Sequence, residues 1–215
     1  MKNLILLAAC SIVLYSCNNA SQAPVEYTIA QQENARVKTI ENMISAYHGE
    51  KTATAKYAAF SVKAEQEGLH NVAVLYNAVS AAENIHAFNH KTVIEAAGGI
   101  VDEVKPVFTV KTTKENLHDD IEGEAYEAKT MYPDFLKTAD AASNEPAVLS
   151  LNYAMKTERK HKTFFEQALG DINSNTLASL PSAYFVCPAC GNTYTQAPKH
   201  CDFSLTDGGK FIRFE

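Results

Sequence analysis

The feature that most constrains the fold is a Glu-x-x-His motif that occurs twice, at matching places within apolar stretches of helical character. Glu83 and His86 form the first copy, and Glu158 and His161 form the second copy in the other half of the chain. Residues at positions i and i+3 share one face of a helix, so each motif can direct a carboxylate and an imidazole into the same space. The sequence therefore predicts one helix pair that is present twice.

A second motif supports the duplication. Gly49-Glu50 recurs as Gly123-Glu124, and Tyr57 recurs as Tyr132 at almost the same offset along the chain. Such a repeat is typical of a pseudo-symmetric bundle with a site on its axis.

Two further Glu-x-x-His pairs do not belong to the repeat. Glu67 and His70 lie on either side of Gly68, at a predicted helix break, and Glu115 and His118 lie off the apolar face of their segment. We expect both to be solvated surface pairs.

Residues 32–170 have the composition of long helices. They are rich in Ala, Glu, Lys, Leu and Asn and contain few prolines, which favours helix. Glycine- and proline-containing breaks separate four segments, at 32–67, 70–97, 112–142 and 145–169. Short breaks join antiparallel neighbours, whereas residues 98–111 are long enough to cross to the second pair. The predicted fold is an all-α four-helix bundle with one long crossover.

Each segment carries a glutamate on its apolar face. The four faces comprise Met43, Tyr47, Glu50, Thr54, Tyr57 and Ser61; Leu75, Val79, Glu83 and His86; Leu117, Ile121, Glu124, Ala128 and Met131; and Leu151, Met155, Glu158, His161 and Phe165. An ionised carboxylate in a dry interior is very costly unless it is paired or bound to a metal. No lysine or arginine repeats at matching interior positions, whereas two divalent cations would neutralise the acids.

These residues predict a two-metal centre. A glutamate from each of two helices, with Glu-x-x-His from each of the other two, is the ligand set of carboxylate-bridged di-iron bundles. Oxygen and imidazole ligands suit iron or manganese better than copper(I). The competing interpretation is a bundle without metal, in which the acids are partly exposed and the histidines are hydrogen-bonded in the core.

Residues 1–17 have the features of a secretory signal, with Lys2 followed by a mostly apolar run over residues 4–14. They resemble a bacterial lipoprotein signal, in which Cys17 receives the lipid. Leu7-Ala8-Ala9-Cys10 fits the same pattern more closely but leaves too short an apolar run before it, and the remaining alternative is a plain cleaved signal with Cys17 unmodified. Residues 18–31 are predicted to be a tether, and no later stretch is apolar enough to cross a membrane. We expect a body in the bacterial cell envelope, periplasm-facing or on the outer surface, that meets the membrane only through its lipid anchor.

The C-terminal part differs in character from the helical part. Residues 171–182 are predicted to be a linker, and residues 183–215 to be a small domain with strand-like ends at 184–186 and 211–214. This domain holds the three remaining cysteines, Cys187, Cys190 and Cys201.

Together the motifs resemble those of the rubrerythrin family over about residues 32–215. They are Gly49-Glu50, Glu83-x-x-His86, Gly123-Glu124-x-x-Glu127, Glu158-x-x-His161 and the C-terminal Cys-x-x-Cys. The resemblance implies a ferritin-like di-iron bundle followed by a rubredoxin-like domain. It implies that two irons are held by Glu50, Glu83, Glu124, Glu127, Glu158 and His161, with His86 taking over from the extra glutamate when the irons are reduced.

The resemblance also implies a role for Tyr57 and Tyr132. Tyrosines at these places hydrogen-bond to ligating carboxylates and so hold them in position. The alternative is ordinary aromatic packing within a repeat.

The C-terminal domain departs from the family pattern. Cys187-Pro188-Ala189-Cys190-Gly191 looks like the first knuckle of a rubredoxin, whose iron normally has four thiolate ligands. The second knuckle reads Cys201-Asp202-Phe203-Ser204, so Ser204 replaces the fourth cysteine. Three outcomes stay open: a mononuclear iron site with a shifted potential, a zinc site completed by His200, or a site without metal, either empty or oxidised to a Cys187–Cys190 disulfide.

By this resemblance the protein is an enzyme, a non-haem di-iron peroxidase. It would reduce hydrogen peroxide to water in defence against oxidative stress, with electrons from an unidentified donor passing through the rubredoxin-like domain, and it would form a homodimer. The alternatives are a ferroxidase or iron-handling protein and a metal-binding envelope module without turnover. Nucleic acid is not an expected partner, because 25 acidic against 19 basic residues leave no excess of basic side chains.

Overall fold

The computed structural model describes residues 28–176 and 179–215. The predicted signal segment, Cys17 and most of the predicted tether lie outside the described residues. Helix α1, Ile29–Gln66, begins inside the predicted tether because Thr28 and Gln31 form a capping box. The backbone N–H of each residue donates to the side chain of the other, at 3.2 Å to Thr28 Oγ1 and 2.8 Å to Gln31 Oε1.

The bundle consists of four long helices. After α1 comes α2, His70–Ala96. The third long helix has three parts: α3, Thr113–Tyr126, then a π-helical turn, Glu127–Met131, and then α4, Tyr132–Ala141. The fourth is α5, Glu145–Ser174. Helix α1 packs on α2, and α3 and α4 pack on α5. The long connection between α2 and α3 joins the two pairs, so the predicted bundle with one crossover is confirmed.

The breaks between helices follow from local chemistry. Gly68 and Gly98 have φ values of 73° and 80°, which favour glycine, and they follow the ends of α1 and α2. Asn144 caps α5 by accepting a hydrogen bond from the N–H of Ala147 at 3.1 Å. The end of α5 differs from the prediction. The helix extends to Ser174, inside the predicted linker, and ends at Asn175, whose φ is 55°.

The π-helical turn was not predicted, although the sequence carries a signal for it. A π-helical turn accommodates one extra residue in a helix. The offset between the two copies of the repeat is larger by one for Tyr57 and Tyr132 than for Glu50 and Glu124, and the turn lies between Glu124 and Tyr132. The second half of the duplication therefore contains one inserted residue, which the helix absorbs as a bulge.

The two surface pairs lie where they were expected. His70 and His118 are exposed, as are Glu67 and Glu115. Both glutamates nevertheless help to begin α3: Glu67 accepts from the N–H of Thr113 at 3.0 Å, and Glu115 completes a capping box with Thr112.

The small C-terminal domain contains a three-stranded antiparallel sheet and packs on the bundle. Its strands are β1, Tyr184–Val186, β2, Thr193–Tyr194, and β3, Ile212–Phe214, in the order β2-β1-β3. The ring of Tyr184 meets that of Phe164 on α5 edge-on. On α2, the side-chain amide of Asn89 donates to the carbonyl of Ala189 at 3.0 Å. The second part of the predicted fold, a small rubredoxin-like domain, is confirmed.

Two apolar clusters enclose the middle of the bundle. One contains Tyr57, Leu75 and Phe165, and the other contains Tyr132 and Leu151. The acidic residues of the repeat lie between these clusters along the helices. Among the described helices, none has the length and apolar character that a membrane crossing requires.

Gly191→Ala should weaken the packing of the C-terminal domain on the bundle. Gly191 has a φ of 76°, and a Cβ atom there would lie 2.8 Å from Cδ2 of His86 and closer still to Nε2. Backbone strain and overlap together should lower the free energy of unfolding by about 2–4 kcal/mol, measured by urea denaturation of the metal-loaded protein.

Gly170→Ala is the matched control, because a Cβ atom at Gly170 meets nothing within 4 Å. Alanine favours the helix, so this variant should gain up to about 1 kcal/mol. Equal stability of the two variants would contradict the close approach of Gly191 to α2.

Candidate metal centre

Four glutamates meet in the middle of the bundle, one from each long helix. None is more than 3% exposed, and they are Glu50 on α1, Glu83 on α2, Glu124 on α3 and Glu158 on α5. Each lies on the apolar face of its helix, so the packing that buries the neighbouring apolar residues also buries the carboxylate.

The glutamates and two histidines form two overlapping groups of possible ligands. The first group is Glu50, Glu83, His86 and Glu158, and the second is Glu83, Glu124, Glu158 and His161. Within each group the ligand atoms lie within 4.8 Å of one another. Because Glu83 and Glu158 belong to both groups, the arrangement provides two adjacent cation positions that share two carboxylates.

The two histidines face the shared carboxylates from opposite positions. Nδ1 of His86 lies 2.8 Å from Glu83 Oε2 and 3.2 Å from Glu158 Oε1. Nδ1 of His161 lies 3.0 Å from Glu83 Oε1 and 2.9 Å from Glu158 Oε2. The near two-fold symmetry of these distances reflects the duplicated sequence.

Several polar atoms of the centre are buried and make no well-aligned hydrogen bond, although some lie only 2.9–3.0 Å from a neighbouring ligand atom. In the described parts of the chain, five of the six such side-chain atoms lie here, namely Glu83 Oε1, Glu124 Oε2, both carboxylate oxygens of Glu158, and His161 Nδ1. An unpartnered buried polar atom costs about 1–3 kcal/mol, and more when it is charged. Hard divalent cations would satisfy all five, so the residues fit a pair of such ions.

The C-terminal domain accepts a hydrogen bond from the second ring nitrogen, Nε2, of both His86 and His161. Nε2 of His86 lies 3.2 Å from the carbonyl oxygen of Cys190, which can only accept, so the ring donates there. Nε2 of His161 lies 3.1 Å from Oγ1 of Thr193, whose own proton goes to the carbonyl of Gly191. Both Nδ1 atoms are thus left for a metal, and the rings are held as metal-binding histidines usually are. The sequence did not predict the part played by Thr193.

Without a metal the cluster favours bound protons. Burial raises the pKa of Glu50 above its usual range, and the charge of Glu83 adds to the effect. Burial, then Glu158, raises the pKa of Glu124. Burial, then Glu83, raises the pKa of Glu158. A cation that binds these carboxylates must therefore displace protons from them.

The neighbouring histidines have the opposite effect on Glu83, whose pKa they lower. Although burial alone would raise its pKa, His161 and His86 hold the pKa of Glu83 well below its usual range. Burial would lower the pKa of His86, but Glu158 and the neighbouring glutamates hold that pKa well above its usual range. The positive charge of His86 therefore offsets part of the negative charge of the carboxylates when no cation is bound.

Each tyrosine of the repeat contacts the glutamate that is contributed by the opposite half. The hydroxyl of Tyr57 donates to Glu124 Oε1 at 2.5 Å, and the hydroxyl of Tyr132 donates to Glu50 Oε1. Burial, followed by the charges of these glutamates, raises the pKa of both tyrosines well above its usual range. Both hydroxyls therefore stay protonated and act as donors.

Glu127 lies at the edge of the centre and belongs to neither group of ligands. It is the first residue of the π-helical turn. Burial, then the charges of Glu50, Glu158 and Glu83, raises its pKa well above its usual range. Its role as a ligand remains a prediction.

A third buried histidine, His90, was not predicted. Its Nδ1 lies 2.8 Å from Oγ of Ser150, and its Nε2 lies 3.4 Å from the hydroxyl of Tyr132. Burial, then the charge of His86, lowers the pKa of His90 to about 3, so the ring is neutral. Its i, i+4 spacing from His86 places both on one helix face, which is the signal that could have identified it.

A lysine and an aspartate form an ion pair on the other side of the centre. Nζ of Lys56 lies 2.9 Å from Oδ1 of Asp120, which is 1% exposed. The hydroxyl of Tyr76 donates to Oδ2 of the same carboxylate at 2.9 Å. The lysine lies over the ring of Tyr57, 4.4 Å from its centroid. This pair has no counterpart in the other half, where Met131 takes the position that corresponds to Lys56.

The three cysteines of the C-terminal domain converge on one point. Cys187, Cys190 and Cys201 are buried, and their sulfur atoms lie within 4.8 Å of one another. Oγ of Ser204 lies 3.2 Å from Sγ of Cys187, so the serine closes the group at the position of the fourth ligand. Hydrogen bonds, first from Cys190, lower the pKa of Cys187 to about 4, so a thiolate is available for a metal.

Two features that were expected under the alternatives, the disulfide and the His200 ligand, are not found in the described residues. All three cysteines are free thiols, so the structure contains no Cys187–Cys190 disulfide within the described residues. His200 is exposed and forms a β-bridge with Asp207. It lies outside the cysteine group because it immediately precedes Cys201 on an extended backbone. A zinc site of three cysteines and His200 is therefore wrong.

Comparisons with known proteins agree with this geometry. A family model described as Rubrerythrin matches residues 41–169. Rubrerythrin-2 of Clostridium acetobutylicum is 32% identical over 180 residues, which are 82% of this chain and 96% of that protein. Nigerythrin of Nitratidesulfovibrio vulgaris is 32% identical over 164 residues, which are 76% of this chain and 79% of that protein. A solved structure of nigerythrin in its fully reduced, all-ferrous state has a TM-score of 0.74 at 25% identity and covers 98% of this chain and 100% of its own.

The stability of the metal-free protein should fall as the pH rises from 6 to 8. The folded-state pKa values of Glu50, Glu124 and Glu158 are raised, so their stabilising contribution is complete below about pH 4.5 and is lost as the pH rises through the folded values. The raised pKa of His86 acts in the same direction above about pH 6.5. Glu83 has the opposite sign, but its contribution is lost only below about pH 4.5.

The check is thermal unfolding with a chelator, where each kcal/mol lost should lower Tm by about 2–4 °C. With ferrous iron bound under anaerobic conditions, Tm should instead rise over the same range, because fewer protons compete for the ligands. A metal-free Tm that is constant or higher at pH 8 would contradict the proton-rich cluster.

Proposed function

The chain belongs to the rubrerythrin family, and on that premise we propose that it is a non-haem di-iron peroxidase that reduces hydrogen peroxide to water. The family is one of di-iron oxidoreductases of oxidative-stress defence. The Glu/His groups in the bundle and the cysteine group in the C-terminal domain are consistent with iron in both places.

The observation that carries this proposal is the sharing of Glu83 and Glu158 between two adjacent cation positions. When bound, two ferrous ions would supply the two electrons that reduce one peroxide molecule, which consumes two protons and yields two water molecules. Two one-electron centres held side by side suit a two-electron reduction better than a single ion. The apolar clusters on either side keep bulk water away from the reaction.

The residues of the chain hold and orient the centre. Glu50 and Glu124 each belong to one cation position, and Tyr132 and Tyr57 fix their outer oxygens by donating hydrogen bonds. Such restraint keeps the ligand geometry constant while the charge of the centre changes.

We further propose that electrons reach the centre through the C-terminal domain. The backbone carbonyl of Cys190, one of the three cysteines, accepts the Nε2–H of His86 at 3.2 Å. Cys190 of the cysteine site and His86 of the metal centre thus connect the two sites by one hydrogen bond. The donor that supplies electrons to the cysteine site is not identified by the chain.

A change of ligand between Glu127 and His86 accompanies the redox cycle in this proposal. In the structure, His86 lies within a ligand group and Glu127 lies beside the cluster with a raised pKa. A π-helical turn begins at Glu127, and such turns are frequent at functional sites of helices.

Ser204 favours a second candidate function, ferroxidase or iron handling. A serine at the fourth position gives the cysteine site a harder ligand than thiolate, and an iron-oxidising centre depends less on an electron relay. A metal-binding module without turnover is the remaining alternative.

Hydrogen peroxide should oxidise the anaerobically reduced protein faster than oxygen does. We expect a rate about tenfold higher or more, which corresponds to a barrier lower by about 1.4 kcal/mol, in stopped-flow mixing at equal oxidant concentrations. Glu158→Gln should lose this reaction with its iron, because it removes a charged ligand that both positions share. Glu166→Gln, on the exposed side of the same helix, is the matched control.

Oxygen that reacts as fast as peroxide would reject the peroxidase and favour the ferroxidase. Iron content distinguishes the remaining cases. About three irons per chain support a loaded relay site, two support a bundle without relay, and fewer than two support a module without turnover.

We also propose that the protein is a homodimer that is anchored to the cell envelope through a lipid on Cys17, facing the periplasm or the outer surface. The family commonly forms homodimers. The basis for the anchor is the sequence of residues 1–17, with its apolar run and the cysteine that follows it.

Cys17→Ala should move the protein from the membrane fraction to the soluble fraction and abolish incorporation of a labelled fatty acid. Cys10→Ala is the matched control, because Cys10 lies within the apolar run and is removed with the signal. A labelled fatty acid retained by Cys17→Ala would overturn the anchor.

A further inference from the structure

The reduction of peroxide in a buried centre requires a route for protons. We propose that Ser150, His90 and Tyr132 form a proton relay that leads from a surface pocket to Glu50, an inference that rests on the proposed peroxidase function. Ser150 and His90 were not among the predicted site residues, and Tyr132 was predicted only as a hydrogen-bond donor to a ligating carboxylate. The relay makes His90 a positioning and proton-transferring residue of the reaction.

The three hydrogen bonds of the relay are continuous. Oγ of Ser150 lies 2.8 Å from Nδ1 of His90. Nε2 of the same ring lies 3.4 Å from the hydroxyl of Tyr132, which is a long hydrogen bond. The hydroxyl of Tyr132 donates to Glu50 Oε1. All four residues are buried, with Ser150 the most exposed at 5%.

The donors of the relay all point toward the metal centre. The proton of Tyr132 is committed to the Glu50 carboxylate, so its oxygen can only accept from His90. The ring therefore carries its proton on Nε2, and Nδ1 of the neutral ring accepts from the hydroxyl of Ser150. A proton that enters at Ser150 can move inward by a shift of each hydrogen bond in turn.

The outer end of the relay meets a surface pocket. Ser150 lines a cavity of about 210 Å³ together with Asn89, Thr92, Leu149 and Tyr153. A cavity of this size holds several water molecules, which can exchange protons with the serine hydroxyl. Bulk solvent and Glu50 are thus connected without opening the bundle.

The duplicated half of the bundle lacks the same groups. The positions that correspond to His90 and Ser150 are Phe165 and Leu75. Phe165 packs against Tyr57 with ring centroids 5.5 Å apart. Tyr57 therefore has its hydrogen bond to a glutamate but no polar chain behind it. Because packing alone is satisfied by apolar side chains at these positions, the polar pair in one half points to a function.

The relay supplies the protons that the reduction of peroxide consumes. One peroxide molecule takes two electrons from two ferrous ions and two protons, and both oxygen atoms leave as water. For each proton, Ser150 transfers one to Nδ1 of His90, the ring releases its Nε2 proton to Tyr132, and Tyr132 releases its own to Glu50. Each transfer leaves the ring with its proton on Nδ1, so the relay passes its next proton after tautomer exchange has returned that proton to Nε2. Water in the pocket reprotonates the serine.

The test uses the fully reduced, two-iron protein in stopped-flow mixing with hydrogen peroxide, in H₂O and in D₂O. His90→Ala should slow oxidation by about 10- to 100-fold, in the lower range of general acid–base effects, and should change the solvent isotope effect. Added imidazole should restore part of the rate in His90→Ala, where it can occupy the vacated space. His90→Leu fills that space and should be slow without rescue.

Thr92→Val is the matched control. Thr92 lines the same pocket, but its hydroxyl donates to the carbonyl of Phe88 on its own helix, outside the relay. This variant should retain the rate and the isotope effect of the unaltered protein. Ser150→Ala should show an intermediate loss, because water in the pocket can take the place of the hydroxyl.

A second measurement does not depend on turnover. In the protein loaded with two zinc ions, ¹⁵N NMR of histidine-labelled samples should show His90 as a neutral ring with its proton on Nε2. Imidazole should raise the Tm of zinc-loaded His90→Ala and leave that of His90→Leu unchanged. A proton on Nδ1 would overturn the relay, because the donors would then not point inward.

Failure of the relay and failure of the function have different signatures. If peroxide oxidises the unaltered protein rapidly and both His90 variants keep its rate and isotope effect, the relay is overturned and the peroxidase stands. If His90→Ala is slow but imidazole gives no rescue, His90 is a packing residue and the relay is overturned. If peroxide reacts no faster than oxygen with the unaltered protein, the proposed function fails and the relay fails with it.

Discussion

The structure depends on the burial of four carboxylates that face one another across the bundle axis. Two unit charges about 4 Å apart repel by about 4 kcal/mol at an effective dielectric constant of about 20, and the ligand atoms here lie within 4.8 Å. Such a cluster is tolerable only with protons or cations among the carboxylates. Apolar packing above and below the cluster, centred on Tyr57 and Tyr132, supplies the stability that holds these charges together.

The second determinant is the packing of the C-terminal domain on α2 and α5. By accepting the Nε2 protons of His86 and His161, Cys190 and Thr193 set the orientation of both rings and leave Nδ1 for a metal. The domain is therefore part of the metal centre and not an appendage to it. A glycine at position 191 is required by the close approach of its backbone to His86.

Much of the architecture could be predicted because duplication leaves a periodic record in the sequence. The helix boundaries and the crossover follow from Gly68, Gly98 and the break before α5, since local backbone chemistry sets them. The π-helical turn also has a local cause, the change of offset between Glu124 and Tyr132. The start of α1 at Ile29 and the end of α5 at Ser174 were missed, because caps depend on single hydrogen bonds that composition does not reveal.

The sequence by itself determined the four-helix bundle, the acids on its inner faces and the small cysteine domain, because helical periodicity and spacing along the chain are local properties. Only the tertiary structure decided that Glu83 and Glu158 are shared by two positions, that His90 lies behind Tyr132, that His200 lies outside the cysteine group, and that Thr193 partners His161. These relations join residues that are far apart in the chain or depend on which way a side chain turns. They are settled by the packing of one element on another, which no local pattern records.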